Sequence, residues 1–475
     1  MSKTLTADYN SNRAALDSVL RVSESFDVLT REILLGQKHV CVYFLDGLTK
    51  EVVATSILAF WLQKKPEDIA NFPADDARGF AERFIPHAES RLSDDVAVLS
   101  RAVLSGQAVC LAEGIPQAIV VDIRAYPERG VTEPENDKVL TGPHEGFVES
   151  ILQNTALLRR RIRDSQLTMR RLQIGEESKT DVVVCFVSGT AEQDEVERLC
   201  ERLKAIRTKS LTMGQQALLE QLVPKQRWNP FPKVRYTERP DAAAASLLEG
   251  RILIMTDNVP NVMIVPTGFL DFIQNTNDYY FPPIVGTYLR WVRLMLFALT
   301  VLLPPVWLLI NQYPDILPEP LRFVILQKSL SLPVFVQFLI VELLIDALRL
   351  ASLNTPSSLG NAFAVVSALV LGESAVQAGW FHAEVVLYMA FVAIANFAQP
   401  SFELGYAFKL CRIFLLVATA LGRVWGFTAA LLLELLLLAF TKTVSGRSYL
   451  YPLAPFNGKA LSALLFQHAG RRDKQ

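Results

Sequence analysis

The sequence predicts an α/β cytoplasmic region of two tandem related subdomains followed by an α-helical multi-pass membrane domain of about five to six spans. Three observations carry that reading. Hydropathy changes regime near Tyr288, the segment before it repeats itself at a spacing of 142 to 144 residues, and the segment after it is a series of apolar blocks with acidic residues set inside them. The expected organisation is an N-terminal tail (1–25), α/β subdomain 1 (26–140), a linker helix with α/β subdomain 2 (141–285), a transmembrane helical domain (286–442) and a cytoplasmic C-terminal tail (443–475).

Bulk properties narrow the class. A chain of 475 residues with 51% hydrophobic residues and a mean hydropathy of +0.26 is too apolar for an ordinary soluble protein. The net charge of −1 offers no basic field, so no nucleic-acid partner is expected. Cys41, Cys110, Cys185, Cys200 and Cys411 form no CxxC pair, which argues against a disulfide framework or a zinc site. Residues 1–12 are polar and lack the apolar core of a secretory signal, so the first 285 residues are expected to stay in the cytoplasm.

The duplication is visible in two markers. Residues 39–47 (HVCVYFLDG) match 181–189 (DVVVCFVSG), and the pattern 104–121 matches 248–265, with Leu104-Ser105-Gly106 against Leu248-Glu249-Gly250 and Pro116 against Pro260. Each unit is expected to open with a strand (31–35 or 169–174), continue with the apolar strand just quoted and a helix (50–63 or 192–206), and close with another helix and a hairpin. Gly, Pro and Asn at Gly114-Ile115-Pro116 and Asn258-Val259-Pro260 supply the hairpin turns. Strands alternating with helices suggest a mixed sheet with helices packed on it. Between the units, apolar positions at 147, 151, 154/155, 158 and 162 describe a helix whose last turn carries Arg159, Arg160, Arg161 and Arg163. Those arginines suit the negative end of the helix dipole and local salt bridges; the alternative is assembly or lipid contact, against an adjacent subunit or anionic headgroups.

In the membrane half, the blocks 294–310, 332–351, 362–380, 385–398 and 413–440 each have to cover about 30 Å of hydrocarbon, or roughly 20 helical residues. The last is too short for two spans unless it borrows flanking residues. Lysines and arginines at Arg290, Arg293, Arg349, Lys409, Arg412, Lys442 and Arg447 place both termini in the cytoplasm after about six passes, with Arg322, Lys328 and Arg423 as exceptions; about four spans plus a re-entrant hairpin give the same sidedness. Glu342, Asp346, Glu373 and Glu434 lie inside the blocks, at a cost of roughly 2.5–3.5 kcal/mol each if left in lipid. Glu342, Asp346 and Arg349, at i, i+4 and i+7, share one helix face. That stripe is either an Asp346 to Arg349 clamp inside the bundle or, with Glu373, part of a wet cation path. Ala364, Ala368 and Gly372 form a small-residue seam for close helix packing, with Ala375 and Gly379 continuing it.

No phosphate-cradling, zinc-protease or hydrolase motif is present, and His39, His87, His144, His382 and His468 are scattered, so no enzyme, cofactor or metal is expected. The pair Glu113 and Asp122 is the weak acid and base candidate.

Several collinear stretches resemble the A-subunit family of bacterial spore germinant receptors, the GerA family: Gly142-Pro143-His144-Glu145-Gly146-Phe147-Val148-Glu149 with Asn154, Arg159-Arg160-Arg161-Ile162-Arg163-Asp164, Tyr236-Thr237-Glu238-Arg239-Pro240-Asp241 and Gln399-Pro400-Ser401-Phe402-Glu403-Leu404. His144 stands where many members carry arginine. Residues 228–240 and the tail Tyr449 to Leu453 with Pro455-Phe456-Asn457 look most like the stage V sporulation protein AF branch. The resemblance implies a multi-pass subunit of an oligomeric complex in the spore inner membrane, with both terminal regions on the spore-core side, taking part in early ion release. Its implied partners are further copies of the chain, the receptor B and C subunits or a small membrane partner, and the lipid bilayer. The expected function is therefore a homo-oligomeric channel-forming subunit for monovalent cations, with Glu342, Asp346 and Glu373 nearest the path. The alternative is a non-conducting scaffold that clusters germinant receptors, and a solute-coupled transporter would need inverted repeats among the spans.

Overall fold

A computed structural model describes residues 4–65, 67, 72–73, 76–87, 89–126, 143–211, 214–223, 229–275, 278, 280–326, 330–354 and 374–466. The chain divides into two compact units, one of Met1–Lys225 with Val234–Pro266 and one of Gln226–Lys233 with Thr267–Gln475.

The first unit contains two copies of one pattern. The first copy runs α1 (Tyr9–Leu20), β1 (Val28–Leu35), β2 (Lys38–Leu45), α2 (Glu51–Leu62), α3 (Ala77–Phe84), β3 (Ser90–Ser93), α4 (Val96–Leu104), β4 (Ala108–Ala112) and β5 (Ala118–Val121). The second runs α5 (Ile151–Arg161), β6 (Leu167–Ile174), β7 (Thr180–Val187), α6 (Gln193–Lys204), α7 (Gly214–Leu222), β8 (Arg235–Thr237), α8 (Pro240–Leu248), β9 (Ile252–Thr256) and β10 (Val262–Val265). The sheets have the same order, β1-β2-β4-β5-β3 and β6-β7-β9-β10-β8. Every paired strand in both is antiparallel, which corrects the expected mixed sheet. Short hairpins cannot return a strand in the parallel sense, and periodicity reports strand existence without direction. The edge strands β3 and β8 are too short to register in the pattern.

Alternation sorts the core. In β2, Cys41, Tyr43 and Leu45 enter one cluster with Leu16 and Leu20 of α1 and Leu99 of α4, while Val40 enters the other with Trp61 of α2 and Phe80 of α3. Residues read from the sequence as an N-terminal tail are thus the first helix of the first repeat, and the linker helix is its counterpart. Asn12 accepts from the backbone N–H of Thr6 and donates to its carbonyl, both at 2.7 Å; Asn154 does the same with Val148 at 2.8 and 2.6 Å. Both pairs keep the 142-residue spacing.

Arg159 joins the repeats. Only 1% of its side chain is exposed, and its Nε donates to Asp27 Oδ2 at 2.9 Å. Its other nitrogens reach the carbonyls of Asp164 and Leu167, both at 3.0 Å. Ser25 completes the knot, donating to Asp27 at 2.7 Å and accepting from the N–H of Met169 at 3.1 Å.

The second unit is helical: α9 (Pro283–Gln312), α10 (Val334–Asn354), α11 (Ala383–Phe397), α12 (Phe402–Phe440) and α13 (Gly458–Leu465). Residues 229–233 belong to it, with Asn229 donating to the Thr441 hydroxyl at 2.6 Å and Tyr449 donating to the Pro232 carbonyl at 2.6 Å. α9 and α12 are long and apolar enough to cross a membrane. α12 is not straight. Arg423 has φ 50° and ψ −133°, a Cβ on Gly426 would collide with the Ala418 carbonyl, and Leu438 packs into the cluster of Leu404, Ala407, Phe408 and Cys411. The chain therefore turns back on itself, making two antiparallel arms, 402–422 and 424–440.

Replacing Arg159 by Met is expected to destabilise the first unit by about 3–5 kcal/mol, because Asp27 is left buried and unpaired; adding Asp27→Leu should restore most of that. Hydrogen exchange in β1 and β6 under increasing urea reads it. Equal protection in the single variant would contradict the role of the knot.

Candidate functional site: a charge tetrad in the helical unit

Glu342 and Asp346 stand one turn apart on α10, and Lys409 and Arg412 stand one turn apart on the first arm of α12, so the two pairs meet when these helices pack. Arg412 Nε donates to Glu342 Oε1, and Lys409 Nζ donates to Asp346 Oδ2. Lys409 also lies 3.6 Å from Glu342 Oε2 and donates to the Glu342 carbonyl at 3.3 Å. A third helix takes part: Arg412 donates to the Thr300 carbonyl of α9 at 2.7 Å. That carbonyl has an acceptor site to spare, beyond what its helix uses. The four charges sum to zero. Side-chain exposure runs from 0% at Arg412 and 4% at Glu342 to 12% at Lys409 and 34% at Asp346, so the cluster is sealed at one end and open at the other.

Above and below the tetrad the packing is apolar and aromatic. Phe297 stacks edge-on against Phe408 with ring centres 5.2 Å apart, and Trp307 meets Phe338 at 5.7 Å. Arg349 lies over the rings of Phe397, Phe402 and Tyr406 at 5.6, 5.1 and 5.2 Å. The partner of Asp346 is thus Lys409, and the Asp346 to Arg349 clamp gives way to a cage of aromatic faces around Arg349.

The expected ion-path residues are distributed differently from the sequence picture. Glu342 and Asp346 do share a face, but Glu342 is closed off by Arg412. Lys409 and Arg412, counted from the sequence as charges flanking a span, lie within the bundle. Their i, i+3 spacing matched to the i, i+4 acids was the available signal. Glu373, Ala364, Ala368 and Gly372 lie outside the described residues. Glu434, on the second arm of α12, has one buried oxygen that finds no hydrogen-bond partner among the described residues. Of the arginines proposed for assembly or lipid contact, Arg159 is withdrawn by its burial against Asp27, whereas Arg160 and Arg161 pair with Glu145 at 3.3 and 2.8 Å and Arg163 is exposed.

Glu113 and Asp122 serve local structure. Glu113 accepts from the N–H of His39 at 2.9 Å, and Asp122 accepts from Arg124 and, at 3.0 Å, from Gln107. The Arg124 guanidinium pulls the Asp122 carboxyl from 3.8 to about 2. All five cysteines are buried and unpaired, and burial raises the Cys41 thiol to about 11. Among the described residues no group of three or more His, Cys, Asp or Glu side chains could hold a metal ion.

Two expectations follow. Arg412→Gln should destabilise the helical unit by about 3–5 kcal/mol by baring Glu342, and the double variant with Glu342→Gln should recover much of it; thermal unfolding in detergent measures both, and equal losses in single and double variants would refute the pairing. Because the Asp122 pKa is depressed by folding, its stabilisation is fully present above its ordinary value and is lost as pH falls through about 2. The melting difference between the protein and Asp122→Asn should be small, open near pH 5 and close toward pH 2; a pH-independent difference would contradict it.

The family described as Bacillus/Clostridium GerA spore germination protein matches residues 16–474. The chain is 35% identical to the stage V sporulation protein AF of Bacillus subtilis (strain 168), over 97% of its own length and 92% of that protein's. It is 31% identical to the uncharacterized membrane protein YfkQ of the same organism, over 90% of this chain and 83% of that one, and 29% identical to its spore germination protein KA, over 94% and 82%. Among solved structures, the N-terminal domain of the A subunit of the Bacillus megaterium spore germinant receptor GerK3 aligns with a TM-score of 0.45 and 25% identity, covering 57% of this chain and 98% of that domain. With a family match that runs from α1 to the C-terminal tail, this chain belongs to the GerA family of spore germination proteins.

Proposed function

We propose that this chain is a multi-pass membrane subunit of a spore germination complex, that it works as a homo-oligomer releasing monovalent cations when germination starts, and that the tetrad is the lock on its closed arrangement. Family membership supports the germination role. Five described helical segments, namely α9, α10, α11 and the two arms of α12, are the candidates for spans, on the reading of about five to six passes in the spore inner membrane with both terminal regions on the core side. The receptor B and C subunits or a small membrane partner are its companions in that complex.

The observation that carries the lock is charge cancellation inside one subunit. A bare carboxylate in a span would attract cations, whereas one neutralised by a facing helix is a latch. For Glu342 and Asp346 to line a path, Arg412 and Lys409 must first leave them. Asp346 and Lys409, at the open end, are the pair that separates at lower cost.

The same neutrality favours a second reading, a scaffold that clusters germinant receptors and conducts nothing, since a complete ion-pair set is also what a static bundle needs. Potassium release from spores distinguishes the two. In spores carrying Asp346→Asn with Lys409→Gln, the lock reading expects potassium to leave several-fold faster, or before germinant is added, at an equal level of complex. Release that tracks only the amount of assembled complex would reject the lock and leave the scaffold.

A further inference from the structure

The two repeats act as internal controls for each other, and they part company at one helix. α6 turns a charged side to solvent, with Asp194, Glu197, Arg198, Glu201 and Arg202 exposed. Its counterpart α2, 142 residues earlier, carries no charge from Val52 to Leu62, and those two side chains are 79% and 71% exposed. Beneath the helices the packing differs as well. In the second repeat Val184 and Phe186 of β7 and Val196 of α6 are fully buried. Their counterparts Val42, Phe44 and Ala54 are only half-buried, and with Leu58, Trp61 and Cys110 they line a cleft between α2 and the sheet whose wall is apolar throughout. Ala54 in place of Val196 leaves part of that space unfilled.

A cation stands at the rim of the cleft. In the second repeat Arg170, opposite Val184 in the ladder, lies 5.1 Å from the centre of the Phe186 ring and donates to Glu197 of α6 at 2.8 Å. The matching residue of β1 is Arg31, which is opposite Val42 and therefore on the same face of the sheet. On α2, however, the position of Glu197 is taken by Thr55. Arg31 is exposed and has no carboxylate partner among the described residues. The first repeat thus keeps the guanidinium, loses the acid that answers it and opens the apolar space beside it.

We infer that the cleft under α2, with Arg31 at its mouth, is a binding site for a small carboxylate that carries an apolar body. The carboxylate takes the place that Glu197 holds in the second repeat, where a guanidinium fork can grip both oxygens. The apolar body displaces water from Val42, Phe44 and Leu58. The lining offers no acidic group, so an ammonium on the ligand would go unanswered. The site does not depend on the ion-release reading and survives its failure.

The test uses the full chain in lipid nanodiscs, dialysed against labelled 3-phenylpropanoate, with acetate and 3-phenylpropylamine as controls. Saturable binding of 3-phenylpropanoate is expected, weakened about tenfold by Arg31→Gln and by Thr55→Glu, which restores an internal carboxylate for Arg31. Ala54→Leu, which fills the cleft, should weaken it too. Acetate lacks the apolar body and the amine lacks the carboxylate, so each should bind about tenfold more weakly than 3-phenylpropanoate. Arg31 and Thr55 are exposed, so their variants should melt like the parent protein without ligand. Binding unchanged in Arg31→Gln, equal binding of the amine, or no saturable binding above that of empty nanodiscs overturns the site.

Discussion

Two carboxylates and two cations cancelling across facing helices is the constraint on which the helical unit rests. Glu342 and Arg412 are nearly devoid of solvent, and neither could hold its charge there alone. Pairing them fixes the depth of α10 against α12, and the Arg412 bond to the Thr300 carbonyl fixes α9 to both. Buried pairs rarely add much net stability over well-packed apolar groups, because desolvation offsets the attraction. They do make displacement of one helix costly, since sliding by a turn would leave two bare charges.

The first unit uses the same device at Arg159 and Asp27, where it joins duplicated halves. The position equivalent to Arg159 in the first repeat is Asp17, whose carboxylate accepts from the Tyr43 hydroxyl at 2.7 Å. An equivalent helix position thus acts inside its own sheet in one copy and reaches between copies in the other. Helix α1 closes one repeat; α5 both closes the second and anchors the first. Duplication supplied the two folds, and divergence at this position supplied their connection.

Much of this was legible in the sequence. The 142-residue spacing exposed the repeat, and the apolar runs 40–45 and 182–187 placed β2 and β7, because both signals survive without tertiary context. Strand direction, the edge strands β3 and β8, and the helical identity of residues 9–20 were not legible, since each depends on what packs against a short or weakly patterned segment. In the helical unit the acids stood out as expensive, but their partners did not. Lys409 and Arg412 look like flanking charges until α12 is seen to start before them and to turn back at Arg423. The shortness of 413–440 for two spans was the hint that its first arm begins at Phe402. Burial of Arg159 was hidden because a run of arginines reads as a surface cluster, and only the fold separates the one that points inward.

The central claim is that the tetrad forms within a single subunit. Its most direct measurement is disulfide formation between Asp346→Cys and Lys409→Cys in a chain otherwise free of cysteine, oxidised in intact membranes. The account predicts an intramolecular link that leaves the chain at monomer mobility on denaturing gels. No link, or links only between copies, would contradict it.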